Sequence, residues 1–178
     1  RIGKDHRKGK DVTPEMFTQA FGFRGVEFGN WVPDKERQDN LNRAYDALMD
    51  LSLILNIPTK GISLNGELGL AFGARGIGGK MAPSAHYEPG KVVINLTRKN
   101  GPGTLAHEWW HALDSYFSRG RGQKESYVSE KPSRLSEADK TRAELLDAFK
   151  GVMAAINDTG LKMRSRELDK RRSKEYWG

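Results

Sequence analysis

The stretch LAHEWWHALD, residues 105–114, holds two histidines four residues apart and decides the expected fold. Residues 101–103, Gly-Pro-Gly, break the chain just before it, and Thr104 follows as a residue type that caps helices. The pattern therefore predicts a helix from residue 105 to about residue 117, with Thr104 as its N-cap. The turn residues Gly120 and Gly122 follow the predicted end.

On such a helix, His107 and His111 lie one turn apart on the same face, so both imidazoles can reach one metal ion. This spacing supplies half of a tetrahedral zinc site. Glu108 lies beside that face, where a carboxylate can take a proton from an attacking water and pass it to a leaving amine. We therefore expect His107 and His111 to bind zinc and Glu108 to be the catalytic base of a hydrolase. The alternative is a helix whose histidines are only packed or solvated.

The sequence does not identify a third ligand. A histidine at position 117 would complete the HExxHxxGxxH pattern, but Phe117 stands there, which excludes the metzincin arrangement. Asp114 shares the histidine face but lies too far along the helix for the same ion, so we expect it to accept a hydrogen bond from a ligand histidine. Carboxylates that could come from a later helix are Glu137, Glu144 and Asp147, although each also fits an ordinary surface charge.

Two further side chains, His86 and Tyr87 of the run Ser84-Ala85-His86-Tyr87, are candidates for the cleft. His86 fits a ligand or a donor to a carbonyl oxygen, and it also fits a histidine at the edge of a strand. Trp109 and Trp110 fall on other sides of the helix, and core packing is the expected role of both.

The other elements indicate an α+β fold with a small mixed sheet, a backing helix and the helix that carries the motif. Periodicity predicts a capped helix over 13–20 and the long backing helix over 33–56. Residues 21–31 combine aromatics with glycines and suit a turned segment packed on the core. Strands are predicted at 61–64, 67–72 and 91–96, with hairpin turns at Asn65-Gly66 and at Glu88-Pro89-Gly90. Residues 73–83 fit a mobile loop or a plain linker, and a last amphipathic helix is predicted over 136–157.

Three parts of the chain follow from this pattern: a basic, flexible lead over 1–12, a core over 13–117 that includes the motif helix, and a helical C-terminal part over 118–178. The 30 Lys and Arg against 23 Asp and Glu give a net charge of +7, which favours anionic partners such as nucleic acid. Because there are no cysteines, any metal must use histidine and carboxylate. No apolar run is long enough to span a bilayer, so no membrane partner is expected.

Beyond the motif, four runs resemble the first-numbered type of large polyvalent protein-associated domain, found in very large proteins of phages and conjugative elements. They are FGFRGVEFGNWV (21–32), LGLAFGARG (68–76), AHYEPGKVVINLT (85–97) and LAHEWWHALD (105–114). The resemblance covers roughly residues 1–117 and the end of the chain. It implies a zincin-like metallopeptidase within a longer polypeptide, with its third ligand, a glutamate, beyond Gly178.

The leading expectation is a gluzincin-like zinc metallopeptidase that cleaves a protein or peptide in the cytoplasm of a bacterial host cell, delivered there by a phage or by conjugation. Its substrate is expected to pair along the sheet edge, at the 91–96 strand or its neighbour. One alternative is a nucleic-acid-binding module on a zincin shell, suggested by the charge and by residues 119–122, Arg-Gly-Arg-Gly. The other is a structural domain of a large polypeptide whose peptidase acts only in self-processing.

Overall fold

A computed structural model describes residues 3–29, 34–73, 85–96, 102–120, 122, 126–130, 143–158, 160, 162–164 and 166–167. The helices are α1 (Pro14–Phe21), α2 (Asp34–Leu55), α3 (Pro102–Arg119) and α4 (Ala143–Asn157). The strands are β1 (Val26–Phe28), β2 (Gly69–Phe72), β3 (Ala85–Glu88) and β4 (Val93–Leu96). Short 3₁₀ helices cover Thr59–Ser63 and Val128–Glu130. The fold class is therefore α+β, as predicted.

Local capping explains where α1 begins and ends. The Thr13 hydroxyl accepts a hydrogen bond from the Met16 N–H at 3.2 Å, and Pro14 occupies the first turn, where its missing N–H costs nothing. Gly22 ends the helix in the left-handed conformation, with a φ of 72°. The predicted cap is confirmed, and the helix extends one residue beyond the predicted range.

The backing helix, predicted over 33–56, is α2. Its apolar positions recur at helical spacing and form a buried face that packs against α3; they are Leu41, Ala44, Leu48 and Leu51. In its middle, α2 also meets the basic lead. The Asp46 carboxylate accepts hydrogen bonds from the His6 N–H and from Arg7 Nε, both at 3.0 Å. Residues 6 and 7 of the lead, for which flexibility is expected, thus contact α2 specifically.

Four strands form one mixed sheet in the order β1-β2-β4-β3. The strands β1, β2 and β4 run parallel, and β3 runs antiparallel to β4 at one edge. The turn predicted at Glu88-Pro89-Gly90 joins β3 and β4 as a hairpin, which confirms it. The strand β1 lies within the segment that the sequence assigned to turns and packing.

The strand predicted at 61–64 is wrong, because those residues belong to the Thr59–Ser63 3₁₀ helix and its cap. The predicted hairpin at Asn65-Gly66 is wrong for the same reason. Leu64, Asn65 and Gly66 all have positive φ, and this turn leads from the 3₁₀ helix into β2. Since β2 pairs only in parallel with its neighbours, no hairpin forms there.

The pairing register separates the two faces of the sheet. Val26, Leu70, Ile94 and Tyr87 are successive partners across the four strands and share one face. Leu105, Trp109 and Ala112 of α3 belong to the same hydrophobic core as these residues, so α3 lies on this face. Of the predicted 136–157 helix, the structure describes α4, and residues 136–142 lie outside the described residues. Within the described part of the chain, no helix is long and apolar enough to cross a membrane.

Candidate metal centre

The motif helix is present but begins earlier than its sequence suggested. It runs over Pro102–Arg119, so Thr104 lies inside the first turn and the predicted cap at Thr104 is wrong. A proline suits the first turn of a helix because its N–H would have no helical partner there. Leu105, Trp109 and Ala112 anchor α3 to the core and fix which face the histidines occupy.

His107 and His111 lie on the exposed face of α3 with their imidazoles in contact. The two Nε2 atoms are 3.0 Å apart, and the ring centroids are 4.7 Å apart. One imidazole N–H can donate to the other nitrogen at this distance. The structure therefore brings together the two predicted ligands, with the Nε2 atom of each at the contact.

This geometry fits one tetrahedral ion. Two imidazole nitrogens bound to zinc in a tetrahedral arrangement are separated by about 3.3 Å. The separation of 3.0 Å between the Nε2 atoms of His107 and His111 is close to that value, so both side chains need only small rotations. The two histidines thus fit as neighbouring ligands of a zinc site.

Glu108 lies on the flank of the histidine face that turns towards the sheet, since one residue along a helix is a rotation of about 100°. Its side chain is buried, at 8% relative exposure, whereas His107 and His111 are exposed. Partial removal from water strengthens the interaction of a carboxylate with a nearby proton donor or cation. The predicted base is therefore next to the histidine pair in a less polar setting.

Asp114 makes different contacts from those predicted. Its carboxylate accepts a hydrogen bond from the Ser129 N–H at 3.1 Å and another from the Ser129 hydroxyl. These bonds fix residues 126–130, which we call the crossing segment, against α3. Among the described hydrogen bonds, the Asp114 carboxylate accepts from this segment and not from a histidine N–H.

The crossing segment brings in a residue that the sequence did not single out. The ring of Tyr127 lies 5.8 Å, centroid to centroid, from the ring of His111. Burial raises the pKa of Tyr127, and neighbouring acidic groups add to the effect; in decreasing order they are Tyr87, Glu130, Asp114 and Glu108. Tyr127 is thus a neutral phenol beside both the histidine pair and Glu108. An aromatic residue inside an otherwise polar loop was the only sequence signal for it.

The two candidates on β3 lie on opposite faces of the sheet, because successive side chains of a strand alternate. Tyr87 faces α3, where its hydroxyl accepts a hydrogen bond from Arg119 Nη1 at 2.9 Å. His86 faces the other side, with Nε2 3.4 Å from Glu88 Oε1. The structure therefore brings Tyr87 to the side of the candidate site but not His86.

Arg119, part of the basic run that suggested a nucleic-acid partner, is held by other side chains. Besides Tyr87, its guanidinium donates to Ser115 Oγ at 3.1 Å and to Glu67 Oε2 at 2.8 Å. Its side chain is only 15% exposed. This arginine stabilises the end of α3 against β3, so it is poorly placed to contact a phosphate backbone. Arg121 lies outside the described residues.

The two tryptophans of the motif differ sharply in burial. Trp109 is 2% exposed and lies in the core, as predicted. Trp110 is 40% exposed, so core packing is wrong for it. It follows Trp109 by about 100° around the helix, which turns it out of the core and onto the flank of the histidine face opposite Glu108.

Across the described residues, no three histidine or carboxylate side chains come together in an arrangement that could hold a metal ion. Among the carboxylates considered as a third ligand, Glu137 lies outside the described residues. Glu144 and Asp147 are exposed on α4, and Asp147 pairs with Lys150 Nζ at 3.3 Å. The buried contact of α4 is Phe149, about 200° around the helix from Asp147.

The topology also decides which strand can offer a free edge. The predicted 91–96 strand corresponds to β4, which is paired on both sides, with β2 and with β3. It cannot accept an additional strand. Its neighbour β3 pairs on one side only among the described strands, so the predicted edge is β3.

Comparisons of the chain with protein-family models, with curated proteins and with solved structures found no match. The class of protein therefore has to be inferred from the chemistry on α3.

Proposed function

We propose that the chain is a zinc-dependent metallopeptidase domain of the gluzincin-like type. One observation carries the proposal: His107 and His111 direct Nε2 atoms 3.0 Å apart outward from α3, with the buried carboxylate of Glu108 on the adjoining flank. Two nitrogen ligands and a neighbouring carboxylate base are the groups that metal-assisted hydrolysis requires. The resemblance to domains of phage and conjugative-element polyvalent proteins leads us to propose the same setting in a bacterial host cell.

In this proposal each side chain has one task. Zinc, when bound by His107 and His111, supplies Lewis acidity to the reacting carbonyl group. Glu108 takes the proton of the attacking water and donates it to the leaving amine, so that its charge is restored at the end of the cycle. The low exposure of Glu108 favours both transfers, because fewer waters compete for its oxygens.

The Tyr127 hydroxyl, on the crossing segment, supports the same chemistry. It remains protonated at neutral pH, since burial raises its pKa, and a neutral phenol can donate a hydrogen bond to a carbonyl oxygen that gains negative charge. Tyr127 and Tyr87 lie near one another between the crossing segment and β3.

The edge strand β3 explains why a peptide is the proposed substrate. An extended chain can pair with the side of β3 that no described strand occupies, and receive backbone hydrogen bonds that do not depend on its sequence. Because β3 also packs against α3, such a chain would run beside the helix that carries the motif. Among hydrolytic reactions, amide cleavage in an extended chain suits this arrangement best.

The proposal is tested with Glu108→Gln, which keeps the size of the side chain but removes its basicity. Cleavage of a fluorogenic peptide library should fall by at least about 100-fold, while zinc content measured by mass spectrometry stays the same. Glu15→Gln, at an exposed position of α1, is the matched control and should leave both quantities unchanged. Full activity in Glu108→Gln would overturn the mechanism, and absence of zinc from the unmodified protein would overturn the metal site.

A further inference from the structure

The crossing segment meets α3 along a single stripe. His111, Asp114 and Ser118 are spaced three and four residues apart, so they share one face of the helix. Each contacts the segment: His111 meets Tyr127, Asp114 binds Ser129, and Ser118 Oγ lies 2.9 Å from Ser126 Oγ. The segment therefore follows the same stripe on which the candidate ligand His111 lies.

The attachments on either side of Tyr127 are strong for such a short segment. Asp114 is 7% exposed and Ser118 is fully buried, so the α3 side of each hydrogen bond is removed from water. A bond to a charged acceptor is worth more than a neutral one, and Asp114 makes two of them to Ser129. Between these attachments, Val128 is fully buried. Tyr127 is thus fixed by its neighbours at residues 126, 128 and 129.

The fixed ring of Tyr127 packs against the imidazole of His111 at an interplanar angle of 60°. An imidazole on an exposed helix face would otherwise sample several rotamers and would lose that freedom on binding a metal. We propose that Asp114 and Ser118 are positioning residues for the metal centre. They hold Tyr127 so that its ring keeps Nε2 of His111 turned towards His107. This inference rests on the proposed metal site but concerns side-chain order rather than catalysis.

The inference assigns different roles to two parts of Tyr127. The hydroxyl belongs to the proposed chemistry, whereas the ring alone positions His111. Tyr127→Phe should therefore retain the zinc affinity of the unmodified protein within about twofold. Tyr127→Ala should weaken zinc binding by about 10-fold or more, which is the range seen when a group that orients a ligand is removed.

A double-variant cycle separates positioning through the ring from a direct effect of Asp114. Asp114→Ala should weaken zinc binding about as much as Tyr127→Ala, and the double variant should be no weaker than either, because both act through one ring. If adding Asp114→Ala to Tyr127→Ala weakens zinc binding by as much as Asp114→Ala does alone, the inference is overturned. If Asp114→Ala does not fold, as judged by circular dichroism, Ser129→Ala takes its place in the cycle.

A measurement on the metal-free protein distinguishes this inference from the proposed function. The rotamer populations of His107 and His111 can be obtained from NMR side-chain couplings. In Tyr127→Ala, we expect averaging over several rotamers for His111, while in Tyr127→Phe one rotamer should persist. An unchanged His111 rotamer in Tyr127→Ala would overturn the positioning role, even if zinc binds. Failure of the unmodified protein to bind zinc would overturn the proposed function, and the rotamer comparison would still decide whether the ring of Tyr127 orders His111.

Discussion

The indole N–H of Trp109 donates a hydrogen bond to the carbonyl oxygen of Ile62 at 2.8 Å. Because Ile62 lies in the 3₁₀ helix that precedes β2, this bond attaches the motif helix to the segment leading into the sheet. Trp109 is 2% exposed and Ile62 is fully buried, so neither group has water as an alternative partner. The orientation of the histidine face thus depends on an anchor on the opposite side of α3.

The two adjacent tryptophans should therefore respond differently to truncation. Trp109→Ala should lower the free energy of unfolding by about 3–5 kcal/mol, since it removes a large core side chain and leaves the Ile62 carbonyl without its partner. Trp110→Ala, at an exposed position, should cost less than about 1 kcal/mol. Urea denaturation of both variants measures the difference. Similar losses would contradict the assignment of Trp110 to the surface.

Zinc affinity should depend on His107 but not on His86. His107→Ala removes one of the two converging Nε2 atoms, so zinc affinity should fall by at least about 100-fold, with zinc content and calorimetric titration as the measurements. His86→Ala is the matched control. Its side chain lies on the opposite face of the sheet from α3, and we expect unchanged affinity. A comparable loss in His86→Ala would restore His86 as a candidate ligand.

The elements that the sequence predicted well are those specified by neighbouring residues. Thr13 and Pro14 cap α1 within one turn, and the Glu88-Pro89-Gly90 turn brings β3 back onto β4. The strand β1 was missed because it has three residues and exists through its parallel pairing with β2, more than 40 residues away. At 61–64, the apolar alternation favoured a strand, but the positive φ values from Leu64 onwards impose a turn.

In the candidate site, too, local spacing predicted some features, whereas others depend on contacts between segments that are distant in sequence. The histidine pair follows from helical periodicity alone, so residues 107 and 111 were found from spacing. Tyr127 was not, because it reaches His111 only through the contacts of Ser126 and Ser129 with α3. The bonds of Asp114 to Ser129 were not predicted for a related reason: the position of Asp114 on the stripe follows from spacing, but this partner comes from the separate Val128–Glu130 3₁₀ helix.

The contact between the basic lead and α2 should affect both the stability of the protein and the rate at which trypsin cleaves the lead. Asp46→Ala removes the acceptor for the His6 N–H and for Arg7 Nε, and should lower the free energy of unfolding by about 1–3 kcal/mol. It should also speed tryptic cleavage after Arg7 in the folded protein. Asp39→Ala, on an exposed position of the same helix, is the control and should change neither quantity by more than experimental scatter. Equal cleavage rates in both variants would show that the lead is not held by Asp46.

The environment of Tyr127 predicts how stability changes at alkaline pH. Burial first, and then the nearby acidic groups, raise the pKa of Tyr127 above its ordinary value of 10.0. As pH rises through 10.0, the unfolded chain loses this phenolic proton before the folded protein does, so the free energy of unfolding falls. In metal-free Tyr127→Phe this contribution is absent, and its stability should fall less steeply over the same range. Urea denaturation of both proteins from neutral to alkaline pH provides the comparison, and ultraviolet titration should show that the variant loses one tyrosine that ionises above pH 10.0. Parallel stability curves would mean that Tyr127 ionises as readily in the folded protein as in the unfolded chain, contrary to its half-buried position beside His111.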